Sequence, residues 1–379
     1  MKFIPYGHQI IEPDDISAVN SVLSGDWLTT GPKVPEFEAA VCNSVGCRHA
    51  IAVNSGTSAL DIAVQSLALP KGSEIITTPL TFMATSNAIL YNGLTPVFAD
   101  ILKETRNIDP CDIRKKITSR TKAITFVDFA GHPCDVKEMR EIADEFGLIL
   151  IDDACHALGA SYRGKKTGTY ADMTIFSFHP VKTITTGEGG MVVTDNAEFA
   201  KTLRLLRSHG IDRDAQSRYG PEAGWAYDMR MLGRNYRMTD FQAALGISQL
   251  GKIDRFIRRR IEIAEMYQEL LADTSCLELP ETGKHLTHAW HLFTVLLKGM
   301  SRDKLFTFLK SHNIGANVHY IPIYRFEFYR NLLNLSPAEF PVTEDVFSRI
   351  LTLPLHQGMS DEDVKYVADI VKRAQNEIP

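Results

Sequence analysis

Short apolar runs alternate with longer amphipathic segments through about residue 250. The runs His49–Val53, Glu74–Thr77, Thr95–Phe98 and Ala123–Val127 are rich in β-branched and aromatic residues, a pattern that predicts strands. Strands that alternate with helices in this rhythm predict repeated βαβ units and a mostly parallel sheet. The predicted helices are Pro13–Leu23, Pro35–Val45, one that ends near Leu69, Met83–Tyr91, Pro110–Ile117, Val136–Phe146, Ala197–Arg207 and Asp240–Leu250.

The run Leu148–Ile151 is apolar at every position, which indicates a strand buried on both faces of a parallel sheet. Asp152 and Asp153 follow it directly, at the carboxyl end where open α/β sheets bind ligands. A buried carboxylate needs a cationic partner, and a protonated pyridine nitrogen is one. The alternative is that Asp153 caps the next turn, while Asp152 is expected to be structural. Three roles stay open for His156: it orients Asp153, it lies over the ring of a ligand, or it is structural.

The last third of the chain predicts a second unit. A long charged helix begins near Lys252, and strands are predicted at Trp290–Leu297 and Ile314–His319. The helices Arg302–Ser311 and one from Asp361 complete an α+β arrangement. A single core stops growing near ~250–300 residues, and this chain has 379. We therefore predict a large domain over 1–250, with an extended N-terminal arm, and a small domain over 251–379.

The composition is that of an ordinary soluble globular protein, with 44% hydrophobic and 23% charged residues. The net charge of −5 and the lack of a basic block argue against a nucleic acid partner. Apolar runs are too short to span a membrane, and the first residues do not resemble a signal peptide. The six cysteines are scattered, so we expect free thiols, no metal site and a cytoplasmic location.

Lys182 lies in a loop between two predicted strands, Thr174–Phe178 and Met191–Thr194. Its neighbours include Val181 and Ile184, so its amine should be poorly solvated and its pKa should fall. A neutral lysine amine is the nucleophile that condenses with a carbonyl to give a Schiff base. The alternative is a surface lysine that precedes the glycine-rich turn.

The segment Asn54–Leu60 has the order strand, small-residue turn, helix start, which suits a phosphate. The alternative is an ordinary N-cap formed by Ser55 or Thr57. Ser177 can offer a hydroxyl to the same phosphate. Phe82 falls between a strand and a helix, where its ring either stacks on a flat cofactor or belongs to the core.

Three loops carry weaker signals. Trp27, between Gly25 and Pro32, either lines a ligand site or covers apolar surface. The polar, glycine-containing segment Asp212–Trp225 is predicted to be a mobile loop. Asn235 and Arg237 can reach a phosphate in their own subunit or in a partner, or can lie in a solvated loop.

Each of these signals is weak alone, but together they suit one cofactor, pyridoxal 5'-phosphate. Its aldehyde needs an amine such as Lys182, and its ring nitrogen needs a carboxylate such as Asp153. Its phosphate needs N–H and O–H donors, and its ring needs a flat apolar surface. We therefore expect a pyridoxal phosphate enzyme.

The sequence resembles the DegT family of nucleotide-sugar aminotransferases over nearly the whole chain. The matching segments are Asn54–Leu60, Asp152–Gly159, Ser177–Lys182, Gly187–Gly190 and Asn235–Met238. The resemblance implies the α/β architecture of fold type I aminotransferases. In it, a large domain with a mostly parallel sheet between helices is joined to a smaller C-terminal α+β domain.

The resemblance also implies a role for each candidate residue. Lys182 forms the Schiff base and shuttles the proton, Asp153 pairs with the ring nitrogen, and His156 lies near the ring. Cofactor contacts come from Gly56, Thr57, Phe82 and Ser177, with Asn235 given across a homodimer interface. The sugar-nucleotide cleft is lined by Tyr6, Asp26, Trp27, Leu28, Thr29, Asn317, Val318, His319 and Tyr320, with Gly56, Ser177 and Asn235.

The segments Thr183–Thr186 and Val318–Tyr324 are most similar to the branch of the family that serves pseudaminic acid biosynthesis. This similarity implies transfer of the amino group of glutamate to C4 of a UDP-linked 4-keto-6-deoxy-N-acetylhexosamine. Gly56 and Trp27 depart from the pattern of that branch, so a different UDP- or dTDP-linked keto sugar stays open. Some relatives that carry histidine at the lysine position are dehydrases, and Lys182 argues against that activity.

Overall fold

The computed structural model describes residues 2–212 and 225–377, so nearly all of the loop predicted over Asp212–Trp225 lies outside the described residues. The described helices are α1 (Pro13–Leu23), α2 (Lys33–Val45), α3 (Gly56–Ser66), α4 (Ala84–Tyr91), α5 (Pro110–Lys116), α6 (Val136–Phe146), α7 (Ala197–Arg207), α8 (Asp240–Leu250), α9 (Ile253–Leu270), α10 (Arg302–Ser311), α11 (Glu327–Leu333), α12 (Pro341–Arg349) and α13 (Asp361–Glu377). The described strands are β1 (His49–Val53), β2 (Glu74–Thr77), β3 (Thr95–Phe98), β4 (Thr121–Val127), β5 (Ile149–Asp153), β6 (Ser161–Tyr162), β7 (Lys165–Lys166), β8 (Met173–Ser177), β9 (Gly190–Thr194), β10 (Leu277–Glu278), β11 (Leu286–Thr287), β12 (Phe293–Leu297) and β13 (Ile350–Leu353).

The predicted βαβ rhythm builds a central sheet with the strand order β1-β9-β8-β5-β4-β2-β3. The strands β8, β5, β4, β2 and β3 run parallel to one another, and β9 pairs antiparallel with both β8 and β1. The mostly parallel sheet is therefore confirmed. Because parallel strands end at one edge, the residues that follow β2, β4, β5 and β8 meet there.

Helices cover both faces of this sheet, which explains why its strands are apolar at nearly every position. On one face, Ile51, Ile75 and Ile151 pack against α3, α4 and α7. On the other, Ile124 and Leu150 pack against α6 and α5. The continuous burial predicted for the strand before Asp153 is confirmed.

A second sheet, with the order β10-β12-β13, packs its strands against α9, α10 and α13. Ile4 from the N-terminal arm is buried in the same cluster, so the arm ends against the C-terminal part of the chain. The division into domains at residues 250 and 251 stays a prediction. Within residues 2–212 and 225–377, no helix is long and apolar enough to cross a membrane.

The prediction of a strand over Ile314–His319 is wrong. The segment makes only isolated bridges, from Ile314 to Ile4 and from Asn317 to Thr352. The side chain of Asn317 accepts a hydrogen bond from the Val318 N–H at 2.8 Å. A local bond of this kind satisfies the backbone donor and competes with a strand ladder. The strand predicted from Trp290 begins at Phe293 instead, since Trp290 has a positive φ of 46°.

Candidate active site

Asp153 is the last residue of β5 and lies at the carboxyl edge of the central sheet. Its side chain is buried, and Oδ2 accepts a hydrogen bond from the Thr85 hydroxyl at 2.7 Å. Oδ1 accepts from the Cys155 N–H at 3.3 Å, which is the local turn contact considered as an alternative. The carboxylate is thus oriented from two sides. Thr85, in the first turn of α4, carried no signal in the sequence because its role depends on the neighbouring strand.

Lys182 lies in the loop that leaves β8, and its N–H donates to the His179 carbonyl at 2.9 Å. Its side chain is half-buried, and desolvation lowers the pKa of its amine. Cys155 and Asp153 act in the opposite direction, and burial outweighs them. The predicted fall of this pKa is therefore confirmed. The effects of Cys155 and Asp153 on this pKa indicate that the amine lies near the end of β5.

The threonines after the lysine fold the loop back on itself. The Thr186 N–H and the Thr185 hydroxyl both donate to the Phe178 carbonyl, each at 3.0 Å. Gly187 then adopts a positive φ of 79°, which an L side chain disfavours. These contacts fix the path from β8 through Lys182 to β9.

The turn before α3 meets the end of β8. Ser55 is the N-cap, and its hydroxyl accepts from the Ser58 N–H at 3.0 Å, so this alternative for the motif is confirmed. A Cβ at Gly56 would lie 3.0 Å from the Ser177 Cβ, so the two backbones approach closely. Thr57 in the first turn is exposed. Free N–H groups of a first turn suit an anion, and the capping role leaves that property intact.

Phe82 follows β2 at the same edge of the sheet. Its side chain is 53% exposed, so the alternative of a core aromatic is wrong. Its ring centroid lies 6.3 Å from that of Tyr320, which comes from the C-terminal part of the chain. An exposed aromatic ring at this position offers a flat apolar face to a ligand.

His156 lies in a buried cluster of rings. Its ring centroid is 4.3 Å from that of His291 and its Nε2 is 3.1 Å from the Tyr320 hydroxyl. Burial holds the pKa of His156 well below its usual range, with Lys182 and His319 adding to the effect. The imidazole is therefore neutral, and its Nδ1 has no partner within the described residues. His291 was missed, because nothing in its local sequence indicates the stack.

Asn317, His319, Tyr320 and Tyr6 come together beside this cluster. The rings of Tyr6 and His319 lie 5.3 Å apart, and His319 Nδ1 is 2.8 Å from the Thr352 hydroxyl. Burial lowers the pKa of His319 to about 3. Val318 is half-buried and packs beside Tyr320 against an apolar cluster. All five residues predicted for the sugar cleft in this region thus share ring or hydrogen-bond contacts with one another.

The segment Asp26–Thr29 is placed differently. It lies exposed in the loop between α1 and α2, where the Leu28 carbonyl accepts from the Asp240 N–H at 3.0 Å. Gln242, which lies in α8 together with Asp240, donates to the Glu188 carbonyl at 2.8 Å. This bond links α8 to the loop that contains Lys182. Asn235 is exposed and bridges Ser208 through its backbone. Within residues 2–212 and 225–377, neither Asp26–Thr29 nor Asn235 forms a hydrogen bond or an ion pair with Lys182.

The residues at this edge suit pyridoxal phosphate. Lys182 supplies an amine with a lowered pKa, and Asp153 supplies a buried, oriented carboxylate. At Gly56 the backbone comes so close to Ser177 that a Cβ would lie 3.2 Å from the Ser177 hydroxyl, so the start of α3 and this hydroxyl lie side by side. The orphaned Nδ1 of His156 and the exposed face of Phe82 remain for a ligand. The roles of the individual residues stay predictions.

Comparison with known proteins identifies the family. The model of the DegT/DnrJ/EryC1/StrS aminotransferase family matches residues 9–372. The chain is 40% identical to the UDP-4-amino-4,6-dideoxy-N-acetyl-beta-L-altrosamine transaminase of Campylobacter jejuni, covering 97% of this chain and 96% of that one. It is also 40% identical to the spore coat polysaccharide biosynthesis protein SpsC of Bacillus subtilis, covering 98% of each.

Solved structures agree in fold. Helicobacter pylori PseC, an aminotransferase involved in the biosynthesis of pseudoaminic acid, superposes with a TM-score of 0.92 at 34% identity and full coverage of both chains. A putative sugar aminotransferase of Streptococcus pneumoniae in its PLP form gives 0.92 at 29% identity, also with full coverage. The chain therefore belongs to the DegT/DnrJ/EryC1/StrS aminotransferase family and is a pyridoxal phosphate-dependent sugar aminotransferase with the fold type I architecture.

Proposed function

We propose that this enzyme transfers the amino group of glutamate to the C4 keto carbon of a UDP-linked 4-keto-6-deoxy-N-acetylhexosamine. The observation that carries the proposal is the half-buried Lys182, whose amine has a pKa lowered by burial and lies within electrostatic reach of Asp153. The Campylobacter relative named for a UDP-4-amino-4,6-dideoxy sugar supports the substrate class. PseC, named for pseudoaminic acid biosynthesis, supports the same branch.

Pyridoxal phosphate, when bound, supplies the aldehyde that carries the amino group and a ring that accepts electrons. Lys182 Nζ takes the α-proton of glutamate and later returns a proton to the sugar C4. The Asp153 carboxylate holds a proton at the ring nitrogen, with Thr85 keeping its orientation. His156, whose pKa is held well below its usual range by burial, offers a hydrogen bond without adding charge near neutral pH. Gly56, Thr57 and Ser177 bind the phosphate through backbone N–H and hydroxyl groups.

The sugar nucleotide is proposed to lie between two groups of side chains. Tyr6, Asn317, Val318, His319 and Tyr320 face it from the C-terminal side, and their mutual contacts pre-organise that wall. Asp26–Thr29 and Asn235 are proposed to complete the site of a partner subunit in a homodimer. Support comes from the exposed apolar side chains around them, among which Trp27, Leu28 and Leu232 are 41%, 50% and 73% exposed.

Two further points belong to the proposal. All six cysteines are free thiols, which agrees with a reducing cytoplasmic location. A dTDP-linked keto sugar is the main alternative substrate, because Gly56 and Trp27, two residues of the proposed cleft, depart from the pattern of the pseudaminic acid branch. A dehydrase is disfavoured, because the relatives that act as dehydrases carry histidine at the position of Lys182.

The test is to incubate the purified enzyme with glutamate and a panel of UDP- and dTDP-linked keto sugars, and to read the products by mass. We expect an amino sugar and 2-oxoglutarate in equal amounts, with the UDP-linked 4-keto-6-deoxy-N-acetylhexosamine used best. Product from dTDP sugars alone would shift the proposal to the alternative substrate. Loss of water without formation of 2-oxoglutarate would establish a dehydrase and overturn it.

A further inference from the structure

Asp61, in the middle of α3, holds the segment 234–236 against this helix. Asp61 is 2% exposed, and its Oδ2 accepts a hydrogen bond from the Tyr236 hydroxyl at 2.9 Å. Arg234 Nε lies 3.3 Å from the same oxygen, so the two side chains form an ion pair. Oδ1 accepts from Asn92 Nδ2 at 3.0 Å. A buried carboxylate needs such partners, and one of the two oxygens of Asp61 is bonded to this segment.

Backbone contacts hold the same part of the chain to α3. Gln65, one turn after Asp61, donates from Nε2 to the Leu232 carbonyl at 3.0 Å. Residues four apart on a helix lie on one face, so Asp61 and Gln65 both point toward this part of the chain. The Asn54 N–H, just before the helix, donates to the Tyr236 carbonyl at 2.9 Å. The segment is therefore fixed against both the start and the middle of α3.

Asn235 lies between the two side chains that reach Asp61. Its backbone forms an antiparallel bridge with Ser208, so the chain is extended at this point. Side chains alternate between the two sides of an extended chain. Because Arg234 and Tyr236 both point to Asp61, the side chain of Asn235 points away from α3, and Asn235 is exposed. Two anchored neighbours thus set the direction of an exposed amide.

We propose that Asp61 is a positioning residue that holds Asn235 in place to contact the cofactor phosphate in the partner subunit. The inference rests on the proposed function, in which Asn235 completes the site of a partner in a homodimer. The first turn of α3, with Gly56 and Thr57, is proposed to bind the phosphate of its own subunit. One helix then serves two sites, its first turn directly and its middle through Asn235.

The first test measures release of pyridoxal phosphate from the holoenzyme by the absorbance of the bound cofactor. Asp61→Asn keeps the size of the side chain and an oxygen for Asn92 but loses the charge that holds the segment, so release should become about three- to tenfold faster. Tyr236→Phe, which removes the other partner of the same hydrogen bond, should also speed release. The matched control is Asn92→Ala, which removes the bond to the other oxygen and should release at the wild-type rate. Wild-type release from Asp61→Asn, or equally fast release from Asn92→Ala, would overturn the inference.

The second test separates positioning across the interface from a structural role within α3. It uses two hybrid dimers, each with a single Lys182. In the first, one subunit carries Asp61→Asn and the other Lys182→Ala, so the site with the lysine receives Asn235 from a subunit that keeps Asp61. In the second, one subunit carries both substitutions and the other carries none, so that site receives Asn235 from a subunit without Asp61. Both hybrids contain the same two substitutions, so a general loss of stability affects them equally.

Borohydride reduction fixes the cofactor at the site that has the lysine, and the mass of the protein then measures how much is bound. The first hybrid should be half-saturated at a pyridoxal phosphate concentration about three- to tenfold lower than the second. Equal concentrations, or the reverse order, would overturn the inference. The same two hybrids made with Asn235→Ala in place of Asp61→Asn test the shared site of the proposed function. If these hybrids also fail to differ, that shared site is refuted, whereas a difference between these hybrids alone refutes only the role of Asp61.

Discussion

The proposed cofactor side and the proposed sugar side of the site are built in different ways. Lys182, Asp153 and Ser177 lie at or just beyond the carboxyl ends of strands in one parallel sheet, so the sheet itself brings them together. Tyr6 and Asn317–Tyr320 lie on irregular backbone and are held by ring contacts and side-chain hydrogen bonds. A strand end constrains a side chain through many backbone bonds, whereas an irregular segment depends on a few contacts. We therefore expect the chemistry to be robust and the sugar specificity to be easy to alter.

The largest effect expected on the cofactor side is that of Lys182→Ala. Loss of the amine should reduce turnover by ~10²–10⁴-fold, because general acid–base help of this kind contributes that much. Cofactor binding should survive, since the phosphate contacts remain. Single-turnover kinetics and absorbance of the bound cofactor measure the two separately. Lys165→Ala, an exposed lysine in β7, is the control, and wild-type turnover in Lys182→Ala would refute the mechanism.

Asp153→Asn should have the next largest effect. The amide keeps the size of the side chain but cannot offer a charged hydrogen bond to a ring nitrogen, and such bonds contribute about 1.5–3 kcal/mol. We expect kcat to fall by about ten- to hundredfold with a smaller change in KM, measured with glutamate and the best sugar. The exposed Asp144→Asn serves as the control. An effect confined to KM would show that Asp153 does not act on the ring.

Tyr320→Phe probes the sugar side and its contact with the cofactor side. The variant keeps the ring beside Phe82 but removes the hydroxyl next to His156. A neutral hydrogen bond contributes about 0.5–1.5 kcal/mol, so we expect kcat/KM to fall by about two- to tenfold. The loss should be larger for the sugar half-reaction than for the glutamate half-reaction. Equal losses in both would place Tyr320 with the cofactor residues instead.

The smallest effect is on stability and comes from His319. Burial lowers its folded-state pKa to about 3, while the unfolded chain binds a proton near pH 6.5. The contribution of His319 to stability is therefore complete above about pH 6.5 and is lost as the pH falls toward 3. Denaturant unfolding should give a shallower loss between about pH 6 and about pH 4 in His319→Gln than in the wild type. Parallel pH profiles would mean that His319 is not buried in the folded enzyme.

From the sequence alone, most of the elements and residues of the proposed cofactor side could be predicted. β-branched runs and their spacing predicted β1 through β5. The polar residues after these strands predicted a ligand site at one edge of the sheet, and that site stays a prediction. Asp153 and Lys182 stand out in the sequence because each is a charged residue among apolar neighbours, at a strand end or in the loop that follows one. These signals are local, since a buried parallel strand must be apolar along its own length.

Only the tertiary structure decided the partners of these residues. Thr85 beside Asp153, and His291 against His156, come from distant parts of the chain, and no local pattern marks them. The strand expected over Ile314–His319 failed for the same reason, because contacts with Ile4 and Thr352 set its path. Burial of Asp152 likewise depends on the pairing of β5 with β4 and β8. A chain encodes periodicity locally, whereas the neighbours of a side chain, and with them its charge state, are fixed only when the sheets and loops pack together.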